Sequence, residues 1–305
     1  MQVIAPGNTL LRTWPLQGGI SAEMTVFEIQ HPDGQINKII LRRPSLQVLE
    51  RNPHAAEHEF KVLQLTRSLG LDTPTSYYLD QSGTIFSTPY LVMEYIDGKP
   101  EFPSAPKADF TFQLANHLAR IHNADYSKRD ISFLPKAAKE CVEISRKQLK
   151  NFQPALDVEH IRTTLEKILS LAQPNKSALL HGDYWPGNIL WRNNTLVAVI
   201  DWEDAQIGDP LIDLAISRLD ILWIFGTDAM HSFTHHYQTL MDIDYKNLPY
   251  RDLCAALRLA RLIGADLAEW TAFFIPFGRS DITEHTFREY FRYFIKQALE
   301  KLAIQ

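Results

Sequence analysis

The hydrophobic period of this chain changes at Asp97-Gly98-Lys99-Pro100, and that change limits the folds open to it more than any other feature. Before the break, apolar and polar residues alternate, as on a half-buried strand; after it, apolar residues recur at helical spacing. Glu23–Gln30 (EMTVFEIQ) and Lys38–Arg43 (KIILRR) flank His31-Pro32-Asp33-Gly34. Pro presets φ there and Gly accepts a positive φ, so the pair reads as a hairpin. Asn52-Pro53 reads as an N-cap followed by a first-turn proline, opening a helix that runs to Ser68 and stops at Gly70. Strands are expected again at Ser76–Leu79, Thr84–Ser87 and Tyr90–Tyr95, giving the order β, β, α, β, β, β.

Beyond the break the spacing predicts helices across 110–122, 137–152, 157–172, 210–224, 229–241, 250–273 and 283–303. One island interrupts them. Residues 179–201 hold two short apolar runs, Ile189–Trp191 and Leu196–Ile200, hinged by Asn193-Asn194, which predicts a second hairpin. The expected fold class is therefore α+β, with a small β-rich N-terminal lobe over 1–96 and a larger, mainly helical C-terminal lobe over 97–305.

Composition narrows the function classes. At 45% hydrophobic the 305 residues are too apolar for disorder, and a net charge of −5 supplies no basic footprint for nucleic acid. No apolar run reaches the roughly 18 residues needed to span a bilayer, and the first residues lack the basic and apolar regions of a signal peptide. Cys141 and Cys254 lie far apart and outside any ligand spacing, so two buried thiols are expected rather than a disulfide or a zinc site. Together these features predict a cytoplasmic protein whose partner is neither nucleic acid nor membrane.

The densest polar information is in the island: His181-Gly182-Asp183-Tyr184-Trp185-Pro186-Gly187-Asn188, then Ile200-Asp201-Trp202-Glu203. Asp183 sits in a loop shaped by Gly and Pro, Asn188 where that loop enters the first strand, and Asp201 at the exit of the second. A hairpin returns its end close to its beginning, which predicts Asn188 and Asp201 as neighbours. An amide oxygen plus a carboxylate is the sparse, hard-oxygen ligation that Mg²⁺ accepts when substrate phosphates complete its shell. Asp183 beside them could orient and deprotonate a hydroxyl.

HGDYWPGN resembles the H-G-D-x-x-x-x-N catalytic loop of the aminoglycoside phosphotransferase and choline kinase-like family, relatives of the protein kinases. Val199–Glu203 and Gly208–Ala215 (GDPLIDLA) resemble that family's next two motifs. The resemblance implies a bilobal protein kinase-like fold and an ATP- or GTP- and Mg²⁺-dependent transfer of phosphate to a small-molecule hydroxyl. It implies Asp183 as catalytic base, Asn188 and Asp201 as magnesium ligands, and His181 as a scaffold for the loop. In the N-terminal lobe it implies Gly19 and Ser21 in a phosphate-cradling turn and Arg42 in the position of the kinase lysine. Glu59 would be its partner, with Glu57 as rival. The segment Leu91–Ile96 resembles the hinge, so that Glu94 and Ile96 would meet adenine through their main chain.

Blander readings stand beside these: Gly18-Gly19 as a plain turn, Arg42 with Glu59 as a surface ion pair, Met93 as core filling and His122 as a structural histidine. Asp209 and Asp213 read first as supports of the helix that follows them. Tyr184 and Trp185 fit either packing or an acceptor pocket. Two competing functions remain, a catalytically silent kinase-like binding protein and, more remotely, a metal-dependent phosphoesterase.

Overall fold

The computed structural model describes residues 6–16, 21–137, 158–168, 174–263 and 267–304. Gly18, Gly19 and Cys141 lie outside them, as does the helix expected across 137–152 apart from Ala137. The chain forms two compact units.

The first unit comprises Met1–Gly98 with Ser127–Phe133 and Val197–Glu203. Its centre is an antiparallel sheet in the order β1-β2-β3-β5-β4, built from β1 (Thr9–Leu16), β2 (Ala22–Gln30), β3 (Ile36–Pro44), β4 (Ser76–Asp80) and β5 (Tyr90–Glu94). The pairing Met24 opposite Arg42, and Arg42 opposite Leu91, fixes Arg42 at the centre of this sheet. Successive side chains on a strand point to opposite faces. Ile39 and Leu41 accordingly join Ile29, Tyr90 and Val92 in a core on one face, and Arg42 points to the other. There it meets α2 (Ala55–Ser68), whose Val62, Leu63 and Glu59 are buried. Arg43 takes the first face again, pairing with Glu23 and lying 4.8 Å from the Phe86 ring.

Three details of this unit differ from the sequence expectation. A short α1 (Leu46–Arg51), capped by the Ser45 hydroxyl, precedes the expected helix, and Asn52 ends it instead of opening the next one. Residues 84–87 form no strand: Asp80 and Ser82 side chains bond the local backbone, an arrangement that competes with a ladder. β1 is an additional edge strand, mostly exposed along its length.

The second unit comprises Lys99–Tyr126, Leu134–Leu196 and Asp204–Gln305. Its helices are α3 (Ala108–His122), α4 (Val158–Ile168), α5 (Leu211–Phe225), α6 (Thr227–Leu240), α7 (Leu248–Ile263), α8 (Leu267–Ala272) and α9 (Glu284–Ile304). α5 is buried almost all round, as a helix enclosed by its neighbours must be. A buried Arg218 ties three of them together, with Nε and Nη2 donating to Asp252 on α7 at 3.2 Å and Nη1 to Thr234 on α6 at 2.6 Å. Cys254 on α7 is a disulfide cysteine, where two thiols were expected. Among the described residues no helix is long and apolar enough to cross a membrane.

The island of short strands is β6 (Ala178–Leu180), β7 (Ile189–Arg192), β8 (Thr195–Val199) and β9 (Gln206–Gly208), paired β6 with β9 and β7 with β8. The β7–β8 turn is Asn193-Asn194, at φ 52° and 61°. Two successive positive φ values make the turn whose twist matches a hairpin, and asparagine tolerates them better than most residues.

Candidate active site

The expected site residues fall into two groups, one in each unit. In the first, the Arg42 guanidinium is 4% exposed and surrounded by acceptors. Its Nε donates to Glu59 at 2.7 Å, and its Nη2 to Asp201 and Glu203 at 2.8 Å each and to the Ser21 hydroxyl at 3.2 Å. Of the two candidate partners, Glu59 is the one that meets Arg42; Glu57 is half-buried and pairs with Lys61. Burial alone would lower the Arg42 pKa, but Glu59, Asp201 and Glu203 outweigh it and hold the group above its ordinary value. Asp201 adopts a positive φ of 63°, an uncommon conformation for a residue with a Cβ. Trp202 next to it is fully buried and donates its indole N–H to the Val199 carbonyl at 2.9 Å. On β5, Glu94 spends its N–H on the Thr75 carbonyl and its carboxylate on the Thr75 hydroxyl and N–H. Ile96 lies two residues past the strand, half-buried.

The second group is the loop after β6. Asp213, in the first turn of α5, accepts the N–H groups of His181 at 2.7 Å and Gly182 at 3.0 Å. Burial would raise the Asp213 pKa, but hydrogen bonding and charge from His122 and charge from His181 overcome it and hold the carboxyl low. His122, shared between Asp213 and the Tyr237 hydroxyl, is the structural histidine of the sequence reading. Gly182 has φ 84°, and a Cβ there would lie 2.1 Å from the Asp204 carbonyl oxygen, so glycine alone fits. The loop thus presents Asp183 in one orientation. One of its carboxylate oxygens accepts from Asn188 Nδ2 at 3.1 Å, the other from Arg258 Nη2 at 2.8 Å. Asn188 Nδ2 also bonds the Asp183 carbonyl at 3.0 Å, so the amide nitrogen is turned to Asp183. Tyr184 packs inside, with its hydroxyl on the Leu114 carbonyl, while Trp185 stays part-exposed.

A model of the phosphotransferase enzyme family, APH, matches residues 15–245. The chain belongs to that family. Acyl-CoA dehydrogenase family member 10 of Mus musculus is 27% identical to this phosphotransferase-family chain over 199 residues, 60% of the chain. The chain spans only 18% to 29% of the length of that relative and of acyl-CoA dehydrogenase family member 11 of Pongo abelii. Among solved structures, amicoumacin kinase in complex with AMP-PNP, Ca²⁺ and Ami has a TM-score of 0.62 at 15% identity, covering 97% of this chain and 88% of that one. The GDP and kanamycin complex of APH(2")-IIia has a TM-score of 0.61 at 14% identity, covering 100% and 97%. At such identities the likeness is one of fold, the α+β kinase-like fold with a β-sheet N-terminal region and a helical C-terminal region.

Three side chains of this family member enter the two groups although the sequence reading gave them no role in the site. Glu203 joins Arg42, Arg258 reaches Asp183 from α7, and Asp220 on α5 lies buried close enough to both to feel their charges. Burial pushes the Asp220 carboxyl up to about 7, helped by the charge of Asp183 and opposed by the Trp223 indole N–H and Arg258. Its folded pKa lies above the ordinary carboxylate value. The folded chain therefore holds a proton between about pH 4 and 7 that the unfolded chain has released, and stability falls as pH rises through that window. Asp220→Asn keeps an acceptor for the indole and removes the charge. Thermal denaturation should show the variant gaining on wild type between about pH 5 and 7.5; a constant difference across that range would contradict the assignment.

Proposed function

We propose that this protein transfers the γ-phosphate of ATP or GTP to a hydroxyl of a small molecule, amino-alcohol, sugar-like or aminoglycoside, in a Mg²⁺-dependent reaction. The observation that carries this reading is Asp183. A part-exposed carboxylate is held by Asn188 on one oxygen and Arg258 on the other, in a loop clamped by Asp213. Such a group is built to take a proton at a fixed place. In the proposed step the acceptor oxygen bonds to the γ-phosphorus as the bond to the β-phosphate oxygen breaks. The hydroxyl proton passes to Asp183, and the nucleoside diphosphate leaves.

The donor groups fit a hard divalent ion. Asn188 spends its amide nitrogen on Asp183, so its oxygen is the pole we assign to a ligand, and Asp201 has one oxygen on Arg42. No group of three or more His, Cys, Asp or Glu that could hold a metal occurs among the described residues. We assign Asn188 and Asp201 to Mg²⁺, which when bound neutralises charge on the phosphate oxygens. We assign Arg42, positioned by Glu59, and Ser21 with Gly19 to the phosphates, and the main chain of Glu94 and Ile96 to the base. The nucleotide thus falls to residues 1–96 and the acceptor to 97–305. AMP-PNP and GDP in the two structural neighbours support a nucleotide of either kind.

A second reading, a catalytically silent binding protein, has one observation in its favour: Arg42 is already engaged by Glu59, Asp201 and Glu203. A coupled ADP-release screen against amino-alcohols, sugars and aminoglycosides, with and without Mg²⁺, separates the two. Metal-dependent ADP release stimulated by an acceptor is the expected result. Nucleotide binding that ignores Mg²⁺, with no ADP release from any acceptor, would favour the silent reading.

A further inference from the structure

Next to the loop that carries Asp183, the second unit exposes aromatic surface that folding alone does not require. Phe273 and Phe277 are each 41% exposed. Phe102 stands behind both, 6.1 Å and 4.8 Å between ring centroids, and Trp185 lies 6.1 Å from Phe273. The wall is continuous with the core through Phe274, which packs 5.0 Å from Phe102 and 5.2 Å from Trp223.

Two features hold this wall still. Arg279, buried just after the left-handed Gly278, donates to five acceptors: the carbonyls of Phe102, Pro103 and Ile224, and both oxygens of Asp281. Burying a guanidinium is costly unless its donors are satisfied, and here they fasten the Phe273–Phe277 segment to the Phe102 segment and to the end of α5. Trp185 is fixed as well. Its ring covers Gly187 so closely that a Cβ there would lie 2.1 Å from a ring carbon.

The wall also meets the proposed base along two routes. Trp185 belongs to the same loop, with its N–H on the Asp183 carbonyl at 3.0 Å. Trp223 packs on Phe274 and donates to Asp220, whose carboxyl senses the Asp183 charge. Rigid, exposed rings beside a positioned carboxylate suit a ligand that brings an apolar face to the ring wall and a hydroxyl to the acid.

We infer that Phe273, Phe277, Phe102 and Trp185 form the acceptor platform, and that the acceptor carries a flat, apolar ring close to the hydroxyl that takes the phosphate. This rests on the phosphotransfer reading for the word acceptor; the ring preference itself rests on the wall. Saturation-transfer NMR on the full chain, comparing phenyl β-D-glucopyranoside with methyl β-D-glucopyranoside, isolates the ring because both offer the same hydroxyls. The phenyl compound is expected to bind about tenfold more tightly. The double variant Phe273→Ser, Phe277→Ser should erase that difference, with its fold checked by melting temperature and ATP affinity. Equal binding of the two glucosides, or a preference that survives in the variant, overturns the platform. A concentration-dependent dimer that the variant abolishes, without any ring preference, also overturns it and makes the wall a self-association surface. If the preference appears but no compound of the acceptor screen provokes ADP release with or without Mg²⁺, the platform stands and phosphotransfer is what fails.

Discussion

Asp183→Asn should lower acceptor-dependent ADP release by on the order of 10²–10⁴-fold, the usual contribution of a positioned general base. The amide is nearly isosteric and can still meet Asn188, but it cannot take the hydroxyl proton, and it leaves Arg258 without its 2.8 Å charge partner. Nothing in the Arg42 group changes, so nucleotide affinity measured by calorimetry should stay within about twofold of wild type, less than 0.5 kcal/mol. A variant with wild-type turnover would remove Asp183 from its proposed role. A variant that loses nucleotide binding to the same extent as turnover would show that Asp183 supports the nucleotide rather than the proton.

The second large effect concerns stability. Arg42→Ala removes the cation that three carboxylates share and leaves Glu59, at 4% side-chain exposure, buried and unpaired. Breaking a buried pair in this way typically costs about 3–5 kcal/mol. The sign of its pH dependence follows. An unpaired buried Glu59 has a folded pKa raised above its unfolded value, so the folded variant binds the extra proton and loses stability as pH rises through the window between the two values. Chemical denaturation should therefore show a deficit that is large at neutral pH and shrinks towards pH 5. Arg42→Lys keeps the charge but has no planar fork to reach Glu59, Asp201 and Glu203 at once, and should fall between wild type and alanine. A deficit for alanine that is independent of pH would mean that the lost interaction is packing and not charge.

What could be read from the sequence followed chain proximity. The β2–β3 hairpin, the Asn193-Asn194 turn and most of the helices expected after Pro100 are encoded in local spacing and lie close to where it puts them. The helix expected across 137–152 falls outside the described residues apart from Ala137, and that expected across 250–273 is described as two stretches, Leu248–Ile263 and Leu267–Ala272. Arg42 with Glu59 was legible only through the family resemblance, which left Glu57 as a rival; the structure puts Glu59 on Arg42 and Glu57 on Lys61. β1 was not legible. It is an edge strand exposed along most of its length, so no burial pattern is impressed on its residues. Residues 84–87 misled for the opposite reason: β-favouring residues follow a Gly- and Ser-rich turn whose side chains satisfy the backbone locally. Arg258 and Asp220 were hidden because nothing within one helix marks which charge will face a loop 75 or fewer residues away in sequence. On its own helix, Arg258 reads as one more solvated group. Only the packing of α7 and α5 around the loop after β6 turns it into the partner of Asp183.

The Arg42 group has a consequence in simple charge balance. Three carboxylates share one guanidinium there, and burial, with the Asp201 charge, holds the Glu59 carboxyl above its ordinary value although Arg42 opposes it. The folded chain therefore binds that carboxyl's proton more tightly than the unfolded chain does, and the stability it brings is lost as pH rises through the window above the ordinary carboxylate value. Mild acidification from neutral pH should therefore raise the melting temperature of the nucleotide-free protein, and Glu59→Gln should flatten that dependence.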